Sequence, residues 1–568
     1  MNQYRRRDVM TYLGLRYYLE NSAARSDEWA MRVATDLLRT RTVAPYFRAY
    51  HFKDASDRGR VDHRTMFLPG ANESLGEAAL LAECGRRPAG FANPRCVFSY
   101  ELSGEGDLAG VFQHYIGGLR ARHDAMAKAC DEFPNGIVRY ADVKRFYPSI
   151  GADLAKRAWH AQSEIGQLPQ RFRELGEKLI EDHARVTAPE KPTILTGPMF
   201  SHLLGNVVLR QCDEEFSKGL PARYFRYVDD ITLVGDADAV KRSLRNIRDR
   251  LDALGLELHD DRSPKSIEVT TVEWSKGRND FSDSRRPISW MTLIGDLKGF
   301  LLANPDEREA LQAAFHTTDI RIPVRDYSAA AHERGFLEKI QTLSVRQWFR
   351  QKSQAVSIQS LVDQAAWLAK SYEAEFRDLI ESTHRLQGYA RKRNIPKLRY
   401  RAGRLTYLAA RDALLSLSGE ARGIPELHFH AQVMAAVASA NIDNVISLGT
   451  NAAQAAAQPL RASARTAVIT RQGLGVPEQQ ALAIFLLNGV PVTGVPQGQA
   501  DGSEMIRFAA NGVDRELMKS ADPFLRELAC LHGLSAHPRH PALLDAVFDE
   551  AEELALDAVD QLQQSVSP

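Results

Sequence analysis

The sequence predicts an α+β fold followed by a mostly α-helical C-terminal domain. Two strand-like segments, GIVRYADV and RYFRYVDDITLVG, flank a long helical stretch between residues 136 and 235, and residues 238–254 follow as an amphipathic helix. After about residue 326 strand signals fade, and apolar residues recur at helical spacing from 358 to 380. We therefore expect an N-terminal helical segment at 1–60, a mixed α/β domain at 61–325 and a helical domain at 326–568.

The N-terminal 60 residues are expected to be helical. Trp29, Val33, Leu37 and Leu38 fall on one stripe at helical spacing. Gly and Pro interrupt the following segment often, residues 96–102 alternate like a strand, and a helical stretch covers about 112–127. These patterns predict a mixed layer of helices and strands before the first strand-like segment.

Composition excludes several classes of protein. Among 568 residues, 73 Lys and Arg balance 72 Asp and Glu, so binding to an acidic polymer must use local basic patches. The five cysteines are scattered and include no C-x-x-C pair, which argues against a disulfide framework and a zinc site. We expect no export signal, no membrane span and a cytoplasmic location, because no uncharged apolar run of about 20 residues occurs.

Two adjacent aspartates interrupt strand-forming sequence in YFRYVDDITLVG. This pattern predicts a tight hairpin with Asp229 and Asp230 at its tip. Aspartate disfavours strands and adjacent carboxylates repel, so bound divalent cations would compensate for the pair. An ordinary hairpin turn is the alternative interpretation of this motif.

A third carboxylate strengthens the interpretation as a metal site. Asp142 ends the strand-like segment GIVRYADV, so two strands offer acids at their ends. Nucleotidyl transfer needs such carboxylates, because two Mg²⁺ ions about 4 Å apart activate a 3′-hydroxyl and stabilise the leaving pyrophosphate. We expect Asp142 and Asp229 to bind two Mg²⁺ ions, with Asp230 supporting them.

The motifs D-x-x-x-F-Y-P-S-I, T-G-P-x-x-S and Y-V-D-D follow one another in this order. They resemble the palm motifs of reverse transcriptases, over roughly residues 99–301. The resemblance implies a right-hand polymerase with fingers and palm of reverse-transcriptase type, dNTP substrates, RNA-directed DNA polymerase activity, and DNA or RNA as partners. It also implies that Tyr147 is the steric gate that favours deoxynucleotides, and it places Val143 with Asp142 at the metal site.

Two further segments resemble motifs of the same family. Gly197, Pro198 and Ser201 match a nucleotide- and template-contacting turn, although the usual L-P-Q-G form is absent and the glutamine contact stays unassigned. The alternative is a helix-opening turn with Ser201 near its cap. Lys265 matches a lysine that protonates the leaving pyrophosphate, and the alternative is an ordinary surface lysine.

Two other matches are open to a structural interpretation. Residues 290–297 lie where a primer grip is expected, but their apolar side chains equally suit a core helix. Arg86, Arg87 and Arg95 could meet a triphosphate, although three arginines in a loop region are usually solvated.

The helical half contains a basic segment, YARKRNIPKLRYRAGRLTY, without one intervening acid. Its cations are Arg391, Lys392, Arg393, Lys397, Arg399, Arg401 and Arg404, and its tyrosines are Tyr389, Tyr400 and Tyr407. Cations can hold phosphates while rings stack on bases, so we predict a nucleic-acid-binding surface. The alternative is a basic connection between helices, broken at Pro396 and Gly403, whose tyrosines pack inward.

A polymerase palm followed by a long helical domain resembles the bacterial defence reverse transcriptases of the abortive-infection (AbiA, AbiK) and unknown-group lineage. This resemblance implies anti-phage defence, a homo-oligomer, DNA or a non-coding RNA as partner, and DNA synthesis that can be untemplated and primed from a protein hydroxyl. The candidate priming residues are Tyr372, Tyr389, Tyr400 and Tyr407, with a serine or threonine as the alternative.

Two functions from other classes are kept as alternatives. The chain could be an inactive nucleic-acid-binding scaffold, although such a scaffold has no need of the three aspartates. It could also contain a HEPN-type ribonuclease, because Arg526 and His532 have the R-x5-H spacing, with Glu527 after the arginine. We interpret Arg526 and His532 as structural residues.

Overall fold

The computed structural model describes residues 8–20, 35, 46–55, 60–104, 110–113, 115–187, 190–261, 263, 265–278, 289–324, 356–496, 503–512 and 515–534. In these residues the protein is a mixture of helices and small sheets, which confirms the α+β class at this level. The predicted stripe at Trp29, Val33, Leu37 and Leu38 lies outside the described residues.

The described part of the N-terminal region contains a helix and a β-hairpin. Helix α1 is Val9–Glu20, and strands β1 (Tyr46–Ala55) and β2 (Val61–Pro69) pair antiparallel. The prediction of helix up to residue 60 is therefore wrong for β1. Pairing with β2 satisfies the backbone groups of β1, and Phe47 and Ala49 are buried on one side of the strand.

Eleven helices lie between residues 71 and 317 in the described part of the chain. They are α2 (Ala71–Gly85), α3 (Pro88–Phe91), α4 (Tyr115–Glu132), α5 (Phe146–Ser149), α6 (Ala152–Ile165), α7 (Gln170–Val186), α8 (Met199–Gly219), α9 (Ala237–Ala253), α10 (Thr271–Ser275), α11 (Trp290–Ala303) and α12 (Arg308–Thr317). The strand expected at 96–102 is not formed; only isolated bridges occur at Val97 and Leu102. Between them Tyr100 has φ of 51°, which interrupts an extended chain.

The central sheet has four antiparallel strands in the order β4-β5-β3-β6. They are β3 (Ile137–Asp142), β4 (Arg223–Tyr227), β5 (Asp230–Gly235) and β6 (Ile267–Thr270). The predicted strands and the tight hairpin are confirmed. Because successive side chains alternate, Ala141 and Leu233 face the core with α8 and α9, whereas Val138 and Val234 face α4 and α10.

The described C-terminal half is almost entirely helical, as predicted. Its helices are α13 (Ile358–Arg385), α14 (Gly388–Leu408), α15 (Arg411–Ala421), α16 (His428–Ser439), α17 (Asp443–Leu448), α18 (Thr450–Ala462), α19 (Val476–Leu487), α20 (Glu504–Asn511) and α21 (Pro523–Leu534). Strands β7 (Ala467–Val468) and β8 (Val492–Thr493) form a short parallel pair. Helix α14 runs through Pro396, so the expected break there is wrong; Ile395 and Leu398 are buried and hold the helix in place.

The three predicted segments share one apolar core. The main cluster of buried apolar residues runs from Val9 to Ala529 and includes residues of all three segments. The ring of Phe47 in β1 lies 5.2 Å from that of Phe524 in α21, and the amide of Phe52 donates to Asn451 Oδ1 at 2.9 Å. Core contacts therefore cross both expected boundaries, near residues 60 and 325. None of the helices in the described part of the chain is long and apolar enough to cross a membrane.

Candidate active site

The three predicted aspartates lie together at one end of the central sheet. Asp142 in β3 and Asp230 in β5 are direct partners in the strand pairing. Asp229 lies in the two-residue turn between β4 and β5. The amide of Val143 donates to the carbonyl of Asp229 at 3.2 Å, which joins this turn to the end of β3. The sequence thus predicted correctly that carboxylates from two strands meet.

Burial and mutual repulsion raise the pKa values of two of these carboxyl groups. Burial, followed by the charges of Asp142 and Asp230, raises the pKa of Asp229 to about 6. Partial loss of surrounding water also raises the pKa of Asp230, although the residue is exposed, and the charges of Arg122 and Lys392 oppose this shift. The site favours added positive charge, and carboxylate oxygens are the ligands that Mg²⁺ prefers. Among the described residues, however, no group of three or more His, Cys, Asp or Glu side chains is already arranged to hold a metal ion.

Two basic side chains contact Asp142 directly. The ammonium of Lys265 donates to Asp142 Oδ2 at 2.5 Å, and His259 Nε2 lies 3.3 Å from the same oxygen. The backbone amide of His259 also donates to the Asp142 carbonyl at 2.9 Å. Lys265 is 55 % exposed but is placed at the carboxylates rather than on a remote surface. Sequence reasoning missed His259, whose only signal is its place after the strand-like segment LGLEL.

The turn that carries Asp229 has a strained backbone. Val228 has φ of 57°, a left-handed conformation that a β-branched residue rarely adopts. Two hydrogen bonds hold it there: the Val228 amide donates to Ser99 Oγ, and Arg226 Nη1 donates to the Val228 carbonyl, each at 2.8 Å. The surrounding structure therefore fixes the position of Asp229 closely.

Arg226 is itself held by a buried network. Its side chain is completely buried and forms two hydrogen bonds to the carboxylate of Asp213, at 2.8 and 2.6 Å. Tyr224 donates to the same carboxylate at 2.9 Å, and Asn206 Oδ1 accepts from Arg226 at 3.2 Å. Sequence reasoning missed these residues. A signal was present, because strand alternation in YFRY points Arg226 inward with Tyr224 and an inward arginine needs a partner.

Tyr147, the predicted steric gate, lies beside the carboxylates. It is half-buried, and its hydroxyl lies 2.7 Å from His202 Nδ1 in helix α8. Burial raises the pKa of Tyr147 well above its usual value, and the charges of Tyr100 and Asp229 act in the same direction. The charge of Asp229 therefore acts on the phenol of Tyr147.

The turn before α8 contacts protein rather than an open cleft. Gly197 has φ of 127°, and a Cβ there would lie 2.5 Å from the carbonyl oxygen of Phe67 in β2. Pro198 is the residue at the N-terminal cap of α8, and Ser201 is completely buried inside the helix. The carboxylate of Glu77 accepts from the amide of Phe200 at 3.2 Å and so serves the start of the helix. Gly197 thus lets the β1–β2 hairpin approach, and Ser201 is not the capping residue.

Several cations of the basic segment are paired within the protein. Arg391 forms two hydrogen bonds to the carboxylate of Glu426, at 3.0 and 2.7 Å. Arg399 donates to the Glu426 carbonyl, and Arg401 lies 2.6 Å from Glu375. The acids that the segment lacks are supplied by neighbouring elements, so these three arginines have structural partners.

The start of α14 lies against the central sheet, close to the aspartates. The ammonium of Lys392 lies 4.6 Å from the ring centroid of Tyr140, which is on the same face of β3 as Asp142. Partial loss of surrounding water lowers the pKa of Lys392, although the residue is exposed, and attraction to Asp230 opposes this shift. Arg393 donates to the carbonyl of Lys276 at 3.2 Å. The helical half therefore brings a cation to the candidate active site.

The four candidate priming tyrosines have different environments. Tyr389 stacks on Tyr140 with ring centroids 6.1 Å apart. Tyr372 and Tyr407 are buried, and their hydroxyls contact the amide of Trp290 and Gln458. Tyr400 is 41 % exposed, between the guanidinium groups of Arg401 and Arg404. Of the four, Tyr389 lies beside the strand that carries Asp142.

Other predicted site residues lie in structural positions. Residues 290–297 belong to α11, whose Trp290, Leu293 and Leu297 are buried, which favours the core interpretation. Arg86 and Arg87 pair with Glu83.

The residues of the ribonuclease alternative are also separated. His532 is 3 % exposed and packs edge-on against the rings of Tyr17 and Phe508. Arg526 is exposed and donates to the carbonyl of Ser520 at 3.0 Å. The burial and ring contacts of His532 favour the structural interpretation of this residue.

A scan of the chain against protein-family models found no match, and a search of curated proteins found no significant match.

Proposed function

We propose that the protein is a nucleotidyltransferase of reverse-transcriptase type, an RNA-directed DNA polymerase that adds dNTPs to a 3′-hydroxyl or a protein hydroxyl. One observation carries this proposal: Asp142 and Asp230 are strand partners, and Asp229 lies beside them in a turn fixed by buried hydrogen bonds. The four-stranded antiparallel sheet, with helices α8 and α9 behind it, supports a palm, and the β1–β2 hairpin supports fingers.

Asp142 and Asp229 would hold two Mg²⁺ ions, with Asp230 and the backbone carbonyl of Val143 completing the set. When bound, the ions activate the attacking hydroxyl and stabilise charge on the leaving pyrophosphate. Lys265, at the carboxylates, is the group suited to donate a proton to that pyrophosphate. Tyr147 forms the wall that excludes a ribose 2′-hydroxyl by steric overlap.

The nucleic acid would meet the helical half near the start of α14. Lys392 is the cation of the basic segment whose charge acts on Asp230, and Tyr389 is the favoured priming residue because it stacks on Tyr140. Arg393, Lys397 and Arg404 stay candidates for phosphate contacts. The resemblance of the motifs alone supports four further parts of the proposal. These are untemplated synthesis, a DNA or non-coding RNA partner, a homo-oligomer and a role in abortive infection against phage.

The decisive experiment is incorporation of labelled dNTP by the purified full chain with Mg²⁺, with and without RNA and DNA templates. Asp229→Asn should lower incorporation at least about 1,000-fold, because metal stabilisation of several kcal/mol is lost. The matched control is Asp261→Asn, an exposed aspartate in an ion pair with Arg139. If wild type incorporates nothing under any condition, or Asp229→Asn equals wild type, the polymerase proposal fails and an inactive scaffold becomes the better account.

Protein priming has its own test. If Tyr389 is the acceptor, labelled DNA should remain on the protein under denaturing conditions and be released by protease. Tyr389→Phe should abolish this covalent product but keep extension of an added oligonucleotide primer. The matched control is Tyr400→Phe, which removes an exposed hydroxyl on the same helix.

A further inference from the structure

His202 contacts the predicted ribose-excluding wall directly. It lies near the start of α8, is 5 % exposed, and its Nδ1 is 2.7 Å from the hydroxyl of Tyr147. Its ring is stacked on Tyr100, with centroids 3.9 Å apart and planes 6° from parallel. The edge of Phe112 packs against the same imidazole, at a centroid distance of 6.3 Å. Stacking and edge contacts therefore restrict the rotation of the imidazole that meets the phenol.

The same helix also limits the side of the Tyr147 ring. Gly205 lies three residues after His202, so both face the same side of α8. A Cβ at Gly205 would lie 3.4 Å from Tyr147 Cε1 and 2.9 Å from Phe146 Cε1. Helix α8 thus contacts Tyr147 at two places, at its hydroxyl through His202 and along its ring at Gly205. The hydrogen bond between Tyr147 and His202 holds the hydroxyl end of the ring.

We propose that His202 is a positioning residue that fixes the Tyr147 ring and thereby sets the selectivity for deoxynucleotides over ribonucleotides. This inference rests on the proposed polymerase function. Rejection of a 2′-hydroxyl by steric overlap depends on the position of the Tyr147 ring. A displacement of a reacting or contacting group by about 1 Å can change rates about 100-fold. A hydrogen bond contributes about 0.5–1.5 kcal/mol net, so its loss corresponds to about a 2- to 10-fold fall in discrimination.

The test measures the ratio of kcat/KM for a dNTP to kcat/KM for the matching rNTP, in the full-length protein. The ratio is independent of the folded fraction, because both substrates are used by the same preparation. His202→Ala and Tyr147→Phe should each lower the ratio about 2- to 10-fold, and the double variant should be no lower than the stronger single variant. Non-additivity is expected because both changes remove the same hydrogen bond.

Two further variants separate positioning from packing. His202→Asn should recover most of the ratio, because the asparagine side chain carries a polar atom the same number of bonds from Cα as Nδ1. His183→Ala should leave the dNTP-to-rNTP ratio unchanged. His183 is a completely buried histidine that packs against Tyr46 and does not contact Tyr147.

The possible failures are distinguishable. Active wild type with an unchanged ratio in His202→Ala, or an additive double variant, would overturn the role of His202 and leave the polymerase proposal standing. A wild-type protein that incorporates neither nucleotide would refute the proposed function, and sugar selectivity with it.

Discussion

At Asp229 the fold places a carboxyl group beside two others in a partly buried turn. Its pKa is raised from the usual 3.8 to about 6, first by burial and then by the charges of Asp142 and Asp230. The neutral form is therefore favoured in the folded state. The stability that this protonation contributes is present below the unfolded pKa and is lost as the pH rises through about 4 to 6.

Asp229→Asn should consequently raise the Tm of the metal-free protein at pH 8, where the wild-type carboxylate is ionised. The gain should be smaller at pH 5, where the folded wild type is largely protonated. Mg²⁺ should narrow the difference by stabilising the wild type more than the variant. Differential scanning calorimetry with EDTA or Mg²⁺ measures both effects, and an equal Tm for the two proteins at pH 8 in EDTA would contradict the electrostatic account.

The buried ion pair of Arg226 and Asp213 supports the turn that contains Val228 and Asp229. Arg226→Met leaves the Asp213 carboxylate buried without its cation, which costs about 3 kcal/mol or more in the free energy of unfolding. It also removes the donor to the Val228 carbonyl, so activity should fall along with stability. Urea denaturation measures the loss.

The exposed pair of Arg250 and Glu215 provides the matched control for this substitution. Its distance, 2.6 Å, equals the shorter Arg226–Asp213 contact, but solvent screens it. Arg250→Met should therefore change stability little. A similar loss for both variants would show that burial is not the deciding factor.

The three aspartates could be predicted from the sequence, but Ser99, Asn206 and Asp213, which support their turn, could not. The proposed metal site needs clustered carboxylates, and the local sequences YVDD and RYAD already place aspartates at strand ends. Ser99, Asn206 and Asp213 act only because the fold brings three distant segments to one turn. No local pattern distinguishes them from other polar residues in the same segments.

At the scale of the element, helix α14 connects the helical half to the carboxylates. The ammonium of Lys392 lies over the ring of Tyr140, and the charge of Asp230 acts to raise the pKa of Lys392. An ammonium near the carboxylates competes with a divalent cation for the same negative charge. Lys392→Met should therefore tighten binding of Mn²⁺ about 5-fold, on the order of 1 kcal/mol of Coulomb repulsion removed.

Mn²⁺ binding is measurable by electron paramagnetic resonance without any turnover. The matched control is Lys397→Met, a lysine five residues further along α14 and about 140° around the helix axis. It should leave Mn²⁺ affinity unchanged. If Lys392→Met binds Mn²⁺ no more tightly than Lys397→Met does, α14 does not influence the carboxylates.

Elements with strong local periodicity were predicted well. Helix α9 and strands β3, β4 and β5 follow their apolar patterns closely. Strand β1 was mistaken for helix because its partner strand, not its own sequence, satisfies its backbone. Helix α14 continues through Pro396 because burial of Ile395 and Leu398 outweighs the lost backbone hydrogen bond.

At the scale of the whole molecule, the helical half and the hairpin β1–β2 form one structure. The side chain of Gln480 donates to the carbonyl of Arg48, and His63 Nε2 lies 3.0 Å from the carbonyl of Ser447. The Ala71 amide, at the start of α2, donates to Glu527 in α21. Composition changes along the chain mark where strands give way to helices, but they carry no information about which surfaces then pack together.

This shared core predicts that residues 1–324 do not fold alone. Without α16, α18 and α21, the apolar faces of α1 and β1 would be exposed to water, at about 25 cal/mol for each Å² of apolar surface. The fragment should aggregate or unfold without a cooperative transition, whereas co-expression with residues 325–568 should restore a soluble complex. Circular dichroism with urea measures this, and the full-length chain is the control. Cooperative unfolding of 1–324 at the urea midpoint of the full chain would show that these residues form an independent folding unit. Helix α14 would then act on the carboxylates from a separate domain.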